Sequence, residues 1–159
     1  MSTNNLFHVS DISDLTTLSP KIPRGLDESS WEDITIPRVC FTPSIRQCLI
    51  GLQIPESEFK DISSVQRYVY IPENIKPRDI ISNKEIVERA LVFDAHITEE
   101  TWVIRKVNVK LKYIIKVFNY RTSKPIVFKP LLVKDPKLVM SDGRITSYEL
   151  KYAILKQLF

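Results

Sequence analysis

Residues 97–118 read ITEETWVIRKVNVKLKYIIKVF, and this stretch decides the fold. Within it Val107, Val109, Leu111, Tyr113, Ile115 and Val117 alternate with Lys106, Asn108, Lys110, Lys112 and Lys116. A period of two is the period of a strand, because successive side chains leave opposite sides of an extended backbone. The pattern predicts a long β segment with one apolar and one basic face, bent around Arg105 to Asn108 so that it forms two strands.

Outward from this segment the elements are short and of mixed type. Residues 6–9 make a brief apolar strand containing His8, and residues 10–32, with Pro20, Pro23 and Gly25, read as loop. Residues 38–41 form a second strand, after which Thr42 and Pro43 supply an N-cap and a first-turn proline. Ile45, Cys48, Leu49 and Leu52 then repeat at helical spacing, with Gly51 as terminator. Residues 65–71 are β-branched and aromatic enough for a third strand, closed by Pro72. Ser82 and Glu85 form a capping box ahead of a short helix through Ile86, Val87, Ala90 and Leu91. A second box, Thr146 with Glu149, precedes Leu150, Ala153, Ile154 and Leu158, which predict a docked C-terminal helix.

Strands and helices that do not alternate regularly give an α+β class. A length of 159 residues and a hydrophobic share of 43% suffice for one domain with its own core, so residues 1–159 are read as a single domain. No apolar run approaches the ~18 residues of a membrane span, and the first residues lack the pattern of a secretion signal. Cys40 and Cys48 have no further Cys or His nearby to complete a zinc site, so both are expected to be buried thiols in a reducing compartment, here the cytoplasm. Only three glycines are present, which excludes a glycine-rich phosphate loop. Residues 142–149 look like the second half of a calcium loop, but Leu138 and Met140 stand where two oxygen ligands would be required.

Charge divides the chain after Ile104. Residues 1–104 carry 10 basic and 16 acidic side chains, a net of −6, and residues 105–159 carry 13 basic and 3 acidic, a net of +10. A basic half of that size predicts an anionic partner, either an acidic protein surface or nucleic acid, unless it neutralises the acidic half within the fold.

Three features fall at the ends of these elements, and together they resemble a known family. Leu6-Phe7-His8-Val9-Ser10 is similar to the first motif of the ADP-ribosyltransferase superfamily, in the branch where histidine opens the NAD site. Val39-Cys40-Phe41-Thr42-Pro43-Ser44 resembles the second, where an aromatic residue ends a strand before the helix that supports the nicotinamide pocket. Glu100-Thr101-Trp102-Val103-Ile104 resembles the third, where a glutamate opens a strand. The motifs occur in the family's order and cover about residues 6–118, with a basic extension at 119–159.

The resemblance implies a split β-sheet core with flanking helices, and NAD as substrate. It implies that Glu100 is the catalytic carboxylate, since cleavage of the nicotinamide–ribose bond passes through a cation-like sugar. His8, Val9, Ser10, Phe41, Thr42 and Tyr70 are the implied NAD-binding residues, with His8 bonding the adenosine-side ribose and Phe41 or Tyr70 stacking on the nicotinamide ring. Strand parity does not choose between Glu99 and Glu100; the motif register favours Glu100. Phe41 stands where the family often has tyrosine, and Thr98 stands where arginine- or asparagine-directed members carry glutamate or glutamine.

Two functions compete on these residues. One is transfer of ADP-ribose from NAD to a macromolecule. The other is an inactive ADP-ribosyltransferase-like inhibitor or binding protein that blocks a protein or nucleic-acid partner through a basic face of Lys106, Lys110, Lys112 and Lys116. A nucleic-acid module without nucleotide chemistry is a third, for which Tyr113, Phe118 and Tyr120 supply a few aromatics, although Tyr113 alternates with the apolar set and is expected to point inward. A short basic chain with a toxin-like core suits a phage-encoded or defence-related effector in a host cytoplasm.

Overall fold

The structure, a computed structural model, describes residues 6–24, 31–52, 64–119, 132–134 and 150–159. Nine strands, three α-helices and a 3-10 turn at Pro77–Asp79 are described: β1 His8–Ser10, β2 Thr17–Leu18, β3 Val39–Phe41, α1 Ile45–Leu52, β4 Ser64–Glu73, β5 Ile80–Ile81, α2 Asn83–Glu88, α3 Ala95–Thr98, β6 Thr101–Val103, β7 Val107–Asn119, β8 Leu132–Lys134 and β9 Leu150–Gln157. The class is α+β, and every strand pairing is antiparallel. A larger sheet has the order β1-β4-β7-β9-β8, with β2 also on β7; a smaller one has the order β3-β6-β5.

The two sheets meet at one seam. Phe7 N–H donates to the Thr42 carbonyl over 2.8 Å, and Thr42 N–H returns to the Phe7 carbonyl over 2.9 Å. This bridge ties the chain entering β1 to the chain leaving β3, and it sets the geometry of everything between them.

Three apolar clusters hold the layers. On one face of the larger sheet, Val65, Val69, Ile115 and Val117 pack under Ile45, Cys48 and Leu49 of α1. Tyr70, Val107 and Val109 meet Val39, Phe41 and Val103 of the smaller sheet. On the other face of that sheet, Trp102 and Ile81 are covered by Ile86, Leu91, Val92 and Ala95. At about 25 cal/mol per Å² removed from water, side chains of this size each contribute roughly 1.5–3 kcal/mol.

The long strand is less simple than its alternation implies. Val69 pairs with Tyr113, yet Tyr70 pairs with Leu111, so Lys112 is an extra residue in a β-bulge. Residues directly opposite one another share a face, and Val69 and Tyr70 lie on opposite faces; Tyr113 and Leu111 must therefore do the same. The bulge turns the apolar residues of β7 from one side of the sheet to the other. Val107, Val109 and Leu111 join the cluster beneath the smaller sheet, while Tyr113, Ile115 and Val117 join the cluster beneath α1.

A correction to the expected basic face follows. Lys110 pairs with Ile71 and Lys116 with Gln66, positions of opposite parity on β4, so these two lysines project from opposite faces. Lys106 precedes the strand altogether. Tyr113 points inward, as its place in the apolar alternation implies, and packs into the cluster under α1.

The expected C-terminal helix is also corrected. Residues 150–157 form β9, which pairs with β7. Leu150, Ala153, Ile154 and Leu158 fit a helical stripe, but Tyr152 and Ile154, two apart, reach the cluster under α1 while Leu155 is exposed. The open edge of β7 satisfies the backbone of 150–157, and this tertiary pairing overrides the local pattern. The capping box at Thr146 and Glu149 and the calcium-loop resemblance at 142–149 lie outside the described residues, as does Tyr120.

Smaller differences have local causes. Ser44, not Thr42, caps α1, its hydroxyl accepting from Gln47 N–H at 3.2 Å. The presumed loop of residues 10–32 includes β2, and residues 97–98 belong to α3 rather than to a strand. Ser82 caps α2 as its capping box requires, accepting from Glu85 N–H at 3.3 Å.

Candidate functional site

A cleft of about 650 Å³ opens beside the seam. Its lining includes His8 and Val9 from β1, Cys40 from β3, Thr42 after it, Cys48 and Leu52 from α1, and Phe93, Asp94, Thr98 and Glu100 from the segment that leads into β6. Arg24 and Glu32 complete its charged groups.

The route from Asp94 to Glu100 shows how local structure builds the site. Asp94 precedes the single helical turn of α3, whose Ala95 and Thr98 are buried. Glu99 ends the turn in a left-handed conformation, φ 49° and ψ 32°, unusual for a side chain with a Cβ. That reversal sends Glu99 to solvent and turns Glu100 inward, so Glu100 and Asp94 enter one cleft.

Glu100 is buried and held at both oxygens. The Thr98 hydroxyl donates to Oε1 at 3.2 Å, and the Trp102 indole Nε1–H donates to Oε2 at 2.7 Å. Two side chains, two residues before and two residues after, thus converge on the Glu100 carboxylate.

His8 is held from the opposite sheet. Its Nδ1 lies 2.9 Å from the Cys40 carbonyl, which can only accept, so Nδ1 carries the proton and Nε2 remains an acceptor. Burial holds the imidazole below its usual pKa, against the opposing pull of that carbonyl, and the ring is neutral at pH 7. Burial, followed by the charge of Glu100, pushes the Asp94 carboxyl up to about 6. The same two causes raise the Cys40 thiol well above its usual value, and burial pushes Cys48 up to about 12, so both thiols are protonated and unreactive. Neither forms a disulfide.

Of the residues named from sequence, His8, Val9, Thr42 and Glu100 line the cleft. Ser10 instead accepts from Ile12 N–H at 3.1 Å in a local turn. Phe41 and Tyr70 are fully buried beneath the smaller sheet. Tyr70 Oη donates to the Ile12 carbonyl at 2.7 Å and accepts from Leu15 N–H at 3.3 Å, which anchors the chain after β1. Phe41 backs the His8 ring, centroid to centroid 5.7 Å. Neither lines the cleft; among the described residues the aromatic that does is Phe93, 39% exposed.

No family model, curated protein or solved structure matches this chain. Among the described residues Glu32, Asp94 and Glu100 make the wall of the cleft predominantly acidic, while Arg24 is the one lining cation beside the neutral His8. Such a cavity favours a ligand that carries or develops positive charge near the carboxylates. Among the described residues no cluster of His, Cys, Asp and Glu has the arrangement of a metal site, and no helix is long and apolar enough to cross a membrane.

Proposed function

We propose that the chain is an ADP-ribosyltransferase-like protein that binds NAD in this cleft and transfers ADP-ribose to a macromolecular acceptor. The observation that carries the reading is convergence: His8 on β1 of the larger sheet and Glu100, immediately before β6 of the smaller one, line one cavity at the seam. The two-sheet arrangement supports the split-sheet form that the resemblance implies.

Each group has a chemical task in this reading. His8 Nε2, neutral and accepting, bonds a ribose hydroxyl, and its Nδ1 bond to Cys40 fixes the ring plane. The buried carboxylate of Glu100 orients the nicotinamide-side ribose and stabilises the positive charge that develops as the C–N bond breaks. Nicotinamide leaves as a neutral molecule. Phe93 would offer the ring face that Phe41 and Tyr70 cannot, and the exposed Arg24 in the lining would pair with a phosphate.

The competing inhibitor reading needs one continuous basic surface on β7. The opposed faces of Lys110 and Lys116 argue against that surface, which favours the transferase reading. Calorimetric titration of NAD into wild type and His8→Ala tests the proposal: wild type binds, and the variant binds at least tenfold more weakly, as expected for a lost hydrogen bond in a buried site, about 1.4 kcal/mol. Absence of heat with wild-type protein, at concentrations sufficient for millimolar affinity, rejects it.

A further inference from the structure

Trp102 is fully buried and is the largest such side chain among the described residues. A buried indole N–H requires an acceptor, and the usual solution is a backbone carbonyl or a structural hydroxyl. Here it is a cleft carboxylate, Oε2 of Glu100.

The indole is itself held. The Arg38 guanidinium lies over its ring, 3.9 Å from the centroid. Arg38 Nη1 donates to the Asp33 carbonyl at 2.8 Å and the Ile36 carbonyl at 3.0 Å, and Nη2 pairs with Glu32. A cation on the ring face draws electron density from the indole and strengthens its N–H as a donor. Removal of Arg38 would leave the indole with neither its stacking partner nor that polarisation.

We infer that Trp102 is the positioning residue of Glu100, and that Arg38 holds the indole in place so that the carboxylate meets its ligand in one fixed plane. Donors on separate oxygens, Thr98 on Oε1 and Trp102 on Oε2, remove the rotational freedom of a terminal carboxylate. Each oxygen retains lone-pair capacity for a substrate hydroxyl. The inference rests on the proposed NAD chemistry for its functional half, and on the Arg38–Trp102–Glu100 contacts for its structural half.

The two halves separate experimentally. The protein has two tryptophans, so its ¹⁵N spectrum holds two indole N–H signals, assigned with Trp31→Phe. The Trp102 signal is expected well downfield in wild type, and it moves upfield in both Glu100→Gln and Arg38→Met. In turnover, Trp102→Phe keeps an aromatic ring beneath Arg38 but has no donor. It lowers nicotinamide release from NAD by about tenfold or more while NAD affinity stays within roughly threefold, the signature of an interaction made in the transition state. Thr98→Val, which removes the other donor at little cost in shape, lowers release in the same direction. An indole signal indifferent to Glu100→Gln overturns the inference, as does wild-type release by Trp102→Phe. A signal that moves in a protein that neither binds nor cleaves NAD overturns the functional reading and the positioning role with it, and leaves the contact as packing.

Discussion

His8 Nδ1 and the Cys40 carbonyl lie 2.9 Å apart across the seam, so a single side chain stitches β1 to β3 and is fixed in one tautomer by doing so. Together with the Phe7–Thr42 backbone pair, this bond makes the relative placement of the two sheets part of the binding geometry.

The His8 environment sets an acid limit. Its folded pKa is depressed below the usual 6.5, so the unfolded chain binds the proton more readily. The neutral ring's contribution to stability is present above about 6.5 and is lost as pH falls below it. His8→Gln should therefore show less loss of Tm than wild type between pH 7 and pH 5, measured by circular dichroism. Parallel loss in both proteins would place the acid sensitivity elsewhere.

Asp94 acts in the opposite sense. Its folded pKa of about 6 lies above the unfolded value of 3.8, so the penalty for its charge is absent at low pH and grows as pH rises from about 4 through about 6. Asp94→Asn should be more stable than wild type at pH 7.5, by on the order of 1 kcal/mol after allowance for its partial exposure, and no more stable at pH 4. Denaturant titration at the two pH values reads the difference.

With Lys112 present, the bulge is a requirement of the fold rather than an ornament of the surface. A β7 that kept Lys112 without the bulge would put Tyr113, Ile115 and Val117 on the same side as Val107 and Val109. Deleting Lys112 instead makes Leu111 and Tyr113 neighbours in a regular strand and keeps them on opposite faces, so the deletion variant should retain a cooperative unfolding transition in denaturant. Lys112→Gln retains the extra residue and should shift stability by no more than about 0.5 kcal/mol.

Arg38 combines an ion pair with Glu32 and a stack on Trp102, and its Nε is buried with no partner among the described residues. Arg38→Lys keeps the charge but loses the planar stacking face, so thermal unfolding should place it well below wild type, by roughly 2 kcal/mol. Near-wild-type stability would reduce the guanidinium to a point charge.

Local chemistry made much of this architecture legible. The strands that carry His8 and Phe41 and the Ser82 cap follow from short-range pattern, whereas the inward turn of Glu100 depends on the left-handed conformation of Glu99, which strand parity does not reveal. Lys112 was invisible because a bulge leaves the hydrophobic alternation intact and alters only which face each residue reaches. β9 was hidden because its apolar residues fit both periods, and only the unpaired edge of β7 decides between them. Asp94 and Glu32 carry no local signal either; they become cleft residues through the left-handed turn at Glu99 and the pairing of residue 32 with residue 92. Phe41 and Tyr70 have the right chemistry for stacking, but strand parity points both into the core.

The most direct test of the central claim is nicotinamide release from NAD by wild type and Glu100→Gln, with calorimetric titration of NAD into each. Wild type should bind and cleave NAD, whereas Glu100→Gln should keep the fold and the binding but lose at least about a hundredfold in rate, the scale of removing a group that stabilises transition-state charge. Equal rates in the two proteins, or no binding and no release by either, would contradict the account.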